Sequence, residues 1–180
     1  MRTTVNPPFN LLTIQTTRAC NQKCFYCYQD DESFKTPTRI TIDTVKRLID
    51  SLLVYHASIG STEPISITFH GGEPLLLEHK FFRDVLDYLR TLDDTQMKDK
   101  FSLAVQTNLT LLDQQYCDIF KKYNVNISTS IDGPVWLHNK YRDPGDTDNH
   151  ATGFCCKNNF TALLGYNNCF SYHYRPVYDI

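Results

Sequence analysis

Three cysteines lie close together near the start of the chain, at Cys20, Cys24 and Cys27. Three residues separate the first pair, two residues separate the second, and the next cysteine is Cys117. A structural zinc site and an electron-transfer iron–sulfur cluster each use four protein ligands, so either would need a distant fourth residue. Three thiolates on a four-iron cluster instead leave one iron open to a substrate or a chelating small molecule. The spacing therefore predicts a cluster with an open iron.

The alternative is that these cysteines are small apolar residues of a buried core. Their neighbours are polar, because Arg18, Asn21, Gln22 and Lys23 flank the first two cysteines. A polar segment of this kind indicates a loop, and the loop favours the cluster over the core interpretation.

The composition is that of a globular protein of one domain's length, with 180 residues that are 41% hydrophobic and 21% charged. A formal net charge of −2 gives no electrostatic reason to expect nucleic acid or an anionic membrane as a partner. No apolar run reaches the roughly 20 residues that span a bilayer, and residues 1–8 do not resemble a signal peptide. Seven cysteines, an odd number, do not suggest a disulfide framework, so we expect a reducing cytoplasmic setting.

Segments with the pattern of strands alternate with segments that have the pattern of amphipathic helices. The predicted strands are 11–17, 65–70, 101–106 and 125–130. The predicted helices are 42–56 with Thr41 as its N-cap, 78–92, and a third that runs from an Asp113 cap to about 123. This alternation predicts an α/β fold with a parallel sheet and right-handed crossovers.

An unusual polar sequence stands at or just after the end of each predicted strand. These sequences are the cysteine segment, Gly71-Gly72-Glu73-Pro74, Gln106-Thr107-Asn108 and Ser130-Ile131-Asp132-Gly133. Parallel α/β folds place their active sites at the C-terminal ends of the strands. We therefore expect the four sequences to converge on one mouth.

The cysteine spacing, with Tyr26 before the last cysteine, resembles the cluster motif of the radical S-adenosylmethionine (SAM) superfamily. The resemblance implies a [4Fe–4S] cluster on Cys20, Cys24 and Cys27, with the amine and carboxylate of SAM on the fourth iron. It implies reductive cleavage of SAM to methionine and a 5′-deoxyadenosyl radical. It also implies a (β/α)6 barrel, of which this chain supplies a part: about four clear βα units and a candidate fifth.

Gly71, Gly72 and Glu73 are similar to the superfamily's second motif, which implies contact with the amine of SAM. Glycine permits close backbone approach and unusual φ values, and a carboxylate accepts hydrogen bonds from an ammonium group. Without the cysteines, the same residues would be interpreted as an ordinary strand-to-helix turn.

Two further motifs resemble those of peptide-modifying members of the superfamily. Gln106 and Asn108 belong to a Gln-Thr-Asn sequence, and the resemblance implies that they bind the cofactor, with a capped turn as a nearly equal alternative. Ser130 and Arg142 resemble residues that hold the carboxylate and ribose end of SAM in sulfatase-maturating enzymes, and a guanidinium suits a carboxylate geometrically. An arginine in a polar loop is more often solvated, and Asp132 fits a role in shaping the turn.

His70 departs from the sulfatase-maturating pattern, in which a glutamine precedes the two glycines. Phe-His-Gly-Gly-Glu-Pro is similar to maturases of ribosomally made peptides, including the His-Xaa-Ser-type group. His70 is therefore predicted to contact the substrate or move a proton, with a satisfied structural histidine as the alternative. The implied partners are a peptide or protein substrate and an electron donor such as a flavodoxin or ferredoxin.

The resemblance divides the chain into an arm at 1–10, a radical SAM core at 11–142, and a linker with an incomplete or divergent C-terminal part at 143–180. A helix at 159–166 and a strand at 169–178 are expected in the last part. Cys155, Cys156 and Cys169 lack the spacing of an auxiliary cluster, and we assign them no role. The chain is expected to be a truncated product whose fourth strand leaves Val125 and Ile127 poorly covered.

Two other functions compete with a maturase-like radical SAM enzyme. An iron–sulfur electron-transfer protein without SAM chemistry would need a fourth cluster cysteine and gives no reason for the glycine motif. An inactive remnant that binds a partner is supported by the C-terminal part alone.

Overall fold

The computed structural model describes residues 9–29, 38–93, 100–132, 135–142 and 170–174. Five strands and four α-helices occupy these ranges. In chain order they are β1 (Leu11–Gln15), α1 (Ile42–Ser58), β2 (Ile65–His70), α2 (His79–Asp93), β3 (Phe101–Gln106), α3 (Gln114–Lys122), β4 (Val125–Ile131), α4 (Val135–Arg142) and β5 (Phe170–Tyr174). A short 3₁₀ turn, Pro74–Leu76, precedes α2.

The five strands form one parallel sheet in the order β1-β2-β3-β4-β5. Phe69 of β2 pairs with Ile14 of β1 on one side and Val105 of β3 on the other, and Val105 pairs in turn with Ile127 of β4. The predicted α/β fold with parallel strands is therefore confirmed. The order of the strands follows the order of the chain. Because all four pairs of neighbouring strands are parallel, every strand's C-terminal end lies at the same edge.

The helix boundaries follow local capping chemistry. The Thr41 side chain accepts a hydrogen bond from the backbone N–H of Thr44, and Asp113 does the same for Tyr116 at the start of α3. Both side chains satisfy N–H groups that have no partner within the first turn of a helix. The predicted N-caps of α1 and α3 are confirmed.

One face of the sheet packs against helices and forms the hydrophobic core. The buried strand residues include Ile14, Ile65, Ile67, Phe69, Leu103, Val105, Val125 and Ile127, and the buried helix residues include Val45, Ile49, Phe82, Val85, Leu86, Leu89 and Phe120. Strand residues alternate between the two faces, so the other face carries the intervening side chains. Those of β1 to β4 are Leu11, Thr13, Gln15, Ser66, Thr68, His70, Ser102, Ala104, Gln106, Asn126, Ser128 and Ser130. This second face is almost entirely polar or small, and none of its residues in β1 to β4 is Lys, Arg, Asp or Glu.

Several expectations need correction. β1 ends at Gln15 because Thr17 instead forms an antiparallel bridge with Arg39. Val125 and Ile127 are fully buried, since β5 pairs with β4 on its far side and α3 packs against it, so the prediction that they would be poorly covered is wrong.

Residues 135–142, for which no element was predicted, form α4, so Arg142 ends a helix and does not lie in the expected polar loop. The strand predicted at 169–178 is present as β5, whereas the predicted helix at 159–166 lies outside the described residues. No helix within the described ranges has the length and apolar character needed to cross a membrane.

Candidate functional site

The cysteine loop, defined here as residues 18–29, follows β1 at the C-terminal edge of the sheet. Cys20 and Cys24 are half-buried, Cys27 is exposed, and all three are free thiols. The N–H of Cys27 donates to the carbonyl of Cys24 at 3.0 Å and closes a turn between them. Within the described ranges, no three His, Cys, Asp or Glu side chains converge closely enough to hold a metal ion.

The two glycines after β2 fix the start of the cysteine loop. The N–H of Gly72 donates to the carbonyl of Thr17, and that of Glu73 donates to Ala19, both at 2.8 Å. A Cβ on Gly72 would lie 2.0 Å from the carbonyl oxygen of Ala19. A Cβ on Gly71, whose φ is +152°, would lie 2.4 Å from that of Thr17. Only glycine permits this close approach of two backbones.

The Glu73 carboxylate is fully buried beneath the loop and links the ends of β2 and β3. Its Oε1 accepts from the Thr107 hydroxyl at 2.6 Å and from the Leu75 N–H at 2.9 Å. Its Oε2 accepts from the Asn108 N–H at 2.7 Å. Burial raises the pKa of this carboxyl, and the three hydrogen bonds oppose that rise. The predicted contact between Glu73 and the amine of SAM remains a prediction.

Asn108 connects β3 to the first half of the cysteine loop. Its amide donates to Asn21 Oδ1 at 2.9 Å and lies 3.9 Å from Cys20 Sγ, which also receives the Gln22 N–H at 3.4 Å. Burial raises the pKa of the Cys20 thiol to about 11, and the Gln22 N–H opposes that shift. The Gln-Thr-Asn sequence therefore contacts the cysteine loop directly. It can form a turn and also belong to the candidate site.

Gln106 and Ser130 meet on the polar face of the sheet. The Gln106 amide donates to Ser130 Oγ at 3.2 Å, while its carbonyl oxygen accepts from the Ser128 hydroxyl at 2.5 Å. The two predicted site residues are thus joined across β3 and β4. Their hydrogen-bonding groups lie at the edge of the sheet where the cysteine loop begins.

The second half of the cysteine loop is joined to β4 and α4 by side chains. The Tyr26 hydroxyl donates to the Asp132 carboxylate, which also accepts from Arg142 Nε at 2.7 Å and more distantly from Nη2 at 3.4 Å. The Arg142 guanidinium lies 5.5 Å from the centre of the Tyr26 ring, within cation–π range. Burial and the hydrogen bond to Asp132 raise the pKa of Tyr26.

This arrangement corrects two sequence interpretations. Arg142 ends a helix and is paired with Asp132, so it does not lie in a solvated polar loop. Asp132 is 3% exposed and holds two partners, so it does more than shape a turn. Asp132 was missed as a site residue, although a carboxylate directly after a strand is a usable signal in a parallel sheet.

His70 ends β2 and is half-buried beside Tyr28, whose ring centre is 6.4 Å away. Its Nδ1 accepts the Gly71 N–H at 2.6 Å, which leaves the proton of the neutral ring on Nε2. Burial lowers the pKa of His70 and favours this neutral form. His70 is therefore suited to donate a hydrogen bond from Nε2.

The residues of the loop fit an iron–sulfur cluster. Three thiols stand on one short loop, and N–H groups already point at the sulfur of Cys20, as is usual for thiolates that bind such clusters. Within the described chain, the side-chain oxygens of Gln22 and Gln29 are buried without a hydrogen-bond partner. These oxygens accept hydrogen bonds, so they suit a bound donor such as an ammonium group and not the sulfur atoms of a cluster.

Comparison with known proteins identifies the family. The Radical SAM superfamily model matches residues 14–151, so the chain belongs to this superfamily. The chain is 34% identical over 137 residues to an uncharacterized protein of Synechocystis, covering 75% of this chain and 33% of that protein. It is 29% identical over 140 residues to a cysteine-type anaerobic sulfatase-maturating enzyme of Clostridium perfringens, covering 76% and 36%.

A solved structure shares the fold. Native anSMEcpe with bound AdoMet and Cp18Cys peptide has a TM-score of 0.66 at 22% identity, with 92% of this chain and 42% of that chain covered. The present chain spans about a third of the length of the two curated relatives named above. Membership of the superfamily implies SAM and an iron–sulfur cluster as cofactors.

Proposed function

We propose that this chain forms the cluster- and SAM-binding part of a radical SAM enzyme that modifies a peptide or protein side chain. Cys20, Cys24 and Cys27 would hold a [4Fe–4S] cluster with one open iron. When bound, the cluster would supply the electron that cleaves SAM to methionine and a 5′-deoxyadenosyl radical. Residues 11–142 are the proposed core of this activity.

The observation that carries the proposal is that the cysteine loop and three other motifs meet at one edge of the parallel sheet, and that all three are bonded to the loop. Gly72 binds the loop through its backbone, Asn108 through its amide and Asp132 through Tyr26. An electron-transfer protein has no evident need for this convergence. Its fourth ligand would also have to be found elsewhere, and Cys117 is buried in the helix-packed core.

The chain's own residues would position SAM. We assign the backbone of Gly71 and Gly72, together with Glu73, to the amine, and Tyr26 to the side of the cluster. Ser130 and Arg142 are assigned to the carboxylate or ribose. Arg142 uses Nε and Nη2 for Asp132, which leaves Nη1 for a second anion.

A peptide substrate is supported by two observations. Two relatives of the chain are a serine-type and a cysteine-type sulfatase-maturating enzyme, and the polar face of the sheet offers neutral donors and acceptors. Hydroxyl and amide groups of this face that are at least partly exposed, such as those of Thr13, Gln15 and Thr68, suit the backbone of an extended peptide. We assign His70 Nε2 to contact with this substrate, and Gln106 and Asn108 to the cofactor site. An external reductant of the flavodoxin or ferredoxin type would supply the electron.

The test is iron content and paramagnetic resonance after anaerobic reconstitution. We expect Cys24→Ala to lose the cluster and Cys117→Ala, the matched control, to retain it. Adding SAM should shift the spectrum of the reduced cluster, and Arg142→Lys should weaken SAM binding. Equal loss of iron in both cysteine variants would show a four-cysteine site, and a spectrum unchanged at saturating SAM would rule out the proposed cofactor role.

A further inference from the structure

The two halves of the cysteine loop have different supports. The first half is fixed by backbone hydrogen bonds from Gly72 and Glu73. The second half, which carries Cys24 and Cys27, contacts the rest of the chain through Phe25 and Tyr26, and through a longer hydrogen bond from Tyr28 to Gly71. The N–H of Phe25 donates to the carbonyl of Tyr141 at 2.8 Å, and the Tyr26 hydroxyl donates to Asp132.

Asp132 is the point on which these contacts depend. It is 3% exposed and accepts from Tyr26 on one side and from Arg142 on the other. Arg142 is the residue after Tyr141, whose carbonyl holds Phe25. One carboxylate therefore fixes both the side chain between Cys24 and Cys27 and the end of α4 that receives the loop backbone.

We propose that Asp132 is a positioning residue that holds the Cys24–Cys27 half of the metal site in place, acting through Tyr26 and Arg142. This inference rests on the proposed role of the three cysteines. It concerns the geometry of the loop, since the Asp132 carboxylate is bonded to Tyr26 and Arg142 and not to the three thiols.

Hydrogen–deuterium exchange of single backbone amides in the full chain tests the contact. The reporter is the Phe25 amide, and the amides of Gly72 and Glu73 report on the other half of the loop. Asp132→Asn and Tyr26→Phe should each speed exchange at Phe25 by about tenfold or more, the factor expected for losing one hydrogen bond to a charged group. Gly72 and Glu73 should exchange as in the unaltered chain.

Tyr28→Phe is the matched control. It removes a hydroxyl from the same loop, but that hydroxyl donates only to the Gly71 carbonyl at 3.4 Å. Exchange at Phe25 should stay within about twofold of the unaltered chain, because a hydrogen bond of this length contributes little. Should Asp132→Asn fail to fold by circular dichroism, Tyr26→Phe decides alone, since it leaves the pair of Asp132 and Arg142 intact.

Iron retention separates this inference from the proposed function. After anaerobic reconstitution, Asp132→Asn and Tyr26→Phe should lose iron to a chelator about tenfold faster than the Tyr28→Phe control. Unaltered exchange at Phe25, equal acceleration at Gly72 and Glu73, or iron loss at the control rate would each overturn the positioning role. Failure of the unaltered chain to bind iron would overturn the proposed metal site instead, whatever the exchange result.

Discussion

Two groups of residues, called anchors here, hold the cysteine loop in place through different kinds of interaction. The glycine anchor, formed by Gly71, Gly72 and Glu73 after β2, uses main-chain hydrogen bonds to Thr17 and Ala19. Its geometry requires that Gly71 and Gly72 have no side chain. The carboxylate anchor, formed by Tyr26, Asp132 and Arg142, uses a buried ion pair and a hydroxyl.

This difference separates what each anchor tolerates. The main-chain hydrogen bonds of the glycine anchor carry no net charge, but its two glycines have no room for one added carbon atom. The carboxylate anchor has side chains that can adjust, but losing either Asp132 or Arg142 leaves a buried charge behind. One half of the proposed metal site is therefore limited by space and the other by charge balance.

The largest expected effect comes from Gly72→Ala. The new Cβ would lie 2.0 Å from the Ala19 carbonyl oxygen, and both groups belong to backbones that cannot move aside independently. We expect a loss of at least about 4 kcal/mol of unfolding free energy, or no folded protein. Urea denaturation followed by circular dichroism measures it.

Gly60→Ala is the control for Gly72→Ala. Gly60 has a φ of +63°, and nothing lies within 4 Å of a Cβ built on it. Only the left-handed backbone conformation is then penalised, so the cost should be about 1 kcal/mol. Similar losses at the two glycines would show that backbone strain, and not the approach of two chains, makes Gly72 necessary.

The next effect is at Asp132→Ala, which leaves the Arg142 guanidinium unpaired at 12% exposure. We expect a loss of about 3 kcal/mol, because an uncompensated buried charge remains. The double variant with Arg142→Ala should recover part of this loss in a double-mutant cycle. Asp84→Ala, which breaks an exposed pair with Lys80, should cost no more than about 0.5 kcal/mol. Additive losses at Asp132 and Arg142 would mean that the carboxylate anchor is not an ion pair in solution.

The position of the glycine anchor could be predicted from the sequence, whereas the contacts of the carboxylate anchor could not. Gly71, Gly72 and Glu73 are contiguous and follow a strongly patterned strand, so their place at the edge of the sheet could be predicted. Asp132 and Tyr26 stand 106 positions apart, and no local pattern connects them. Their contact depends on the sheet order, which brings the ends of β1 and β4 toward one loop.

The same limit applies to individual elements. Thr41 and Asp113 were identified as caps because capping is local chemistry. Helix α4 has eight residues and a weak apolar pattern, so its sequence did not distinguish it from a loop. The partners of Glu73 at Thr107 and Asn108 follow from the pairing of β2 with β3, which the sequence implied without giving the contacts.

A smaller effect is expected from Glu73 of the glycine anchor, whose titration makes the free energy of unfolding depend on pH. Burial raises its pKa above the ordinary value of 4.5, despite hydrogen bonds from Thr107, Asn108 and Leu75. A group whose pKa is higher in the folded state stabilises that state at pH values below its pKa in the unfolded chain. This stabilisation is lost as the pH rises through the pKa of the folded state. The stability of the unaltered chain relative to Glu73→Gln should therefore fall as pH increases above 4.5.

Denaturation of both proteins at a series of pH values measures this difference, and the glutamine variant removes the titration itself. Thr107→Val should move the fall to higher pH, because it deletes a hydrogen bond that favours the carboxylate. A difference that stays flat, or that grows with pH, would show that Glu73 is not held with a raised pKa.

The smallest effect concerns Asp113, an exposed counterpart of Asp132. Its carboxylate also accepts from two partners, the Tyr116 N–H at 2.8 Å and His79 Nε2 at 2.9 Å, but its side chain is 52% exposed. Partial desolvation opposes the two hydrogen bonds, which still lower the pKa of Asp113 below its ordinary 3.8. A lowered pKa contributes stability above pH 3.8 that is lost as the pH falls through the pKa of the folded state.

We expect Asp113→Ala to lower the free energy of unfolding by about 1 kcal/mol at neutral pH, the usual value of a helix cap, and by less in acid. Asp113→Asn should retain most of that stability, because asparagine caps helices as well as aspartate does. Urea denaturation at pH 7 and near pH 3 measures both variants. If Asp113→Ala proved as costly as Asp132→Ala, burial would not be what strengthens the carboxylate anchor.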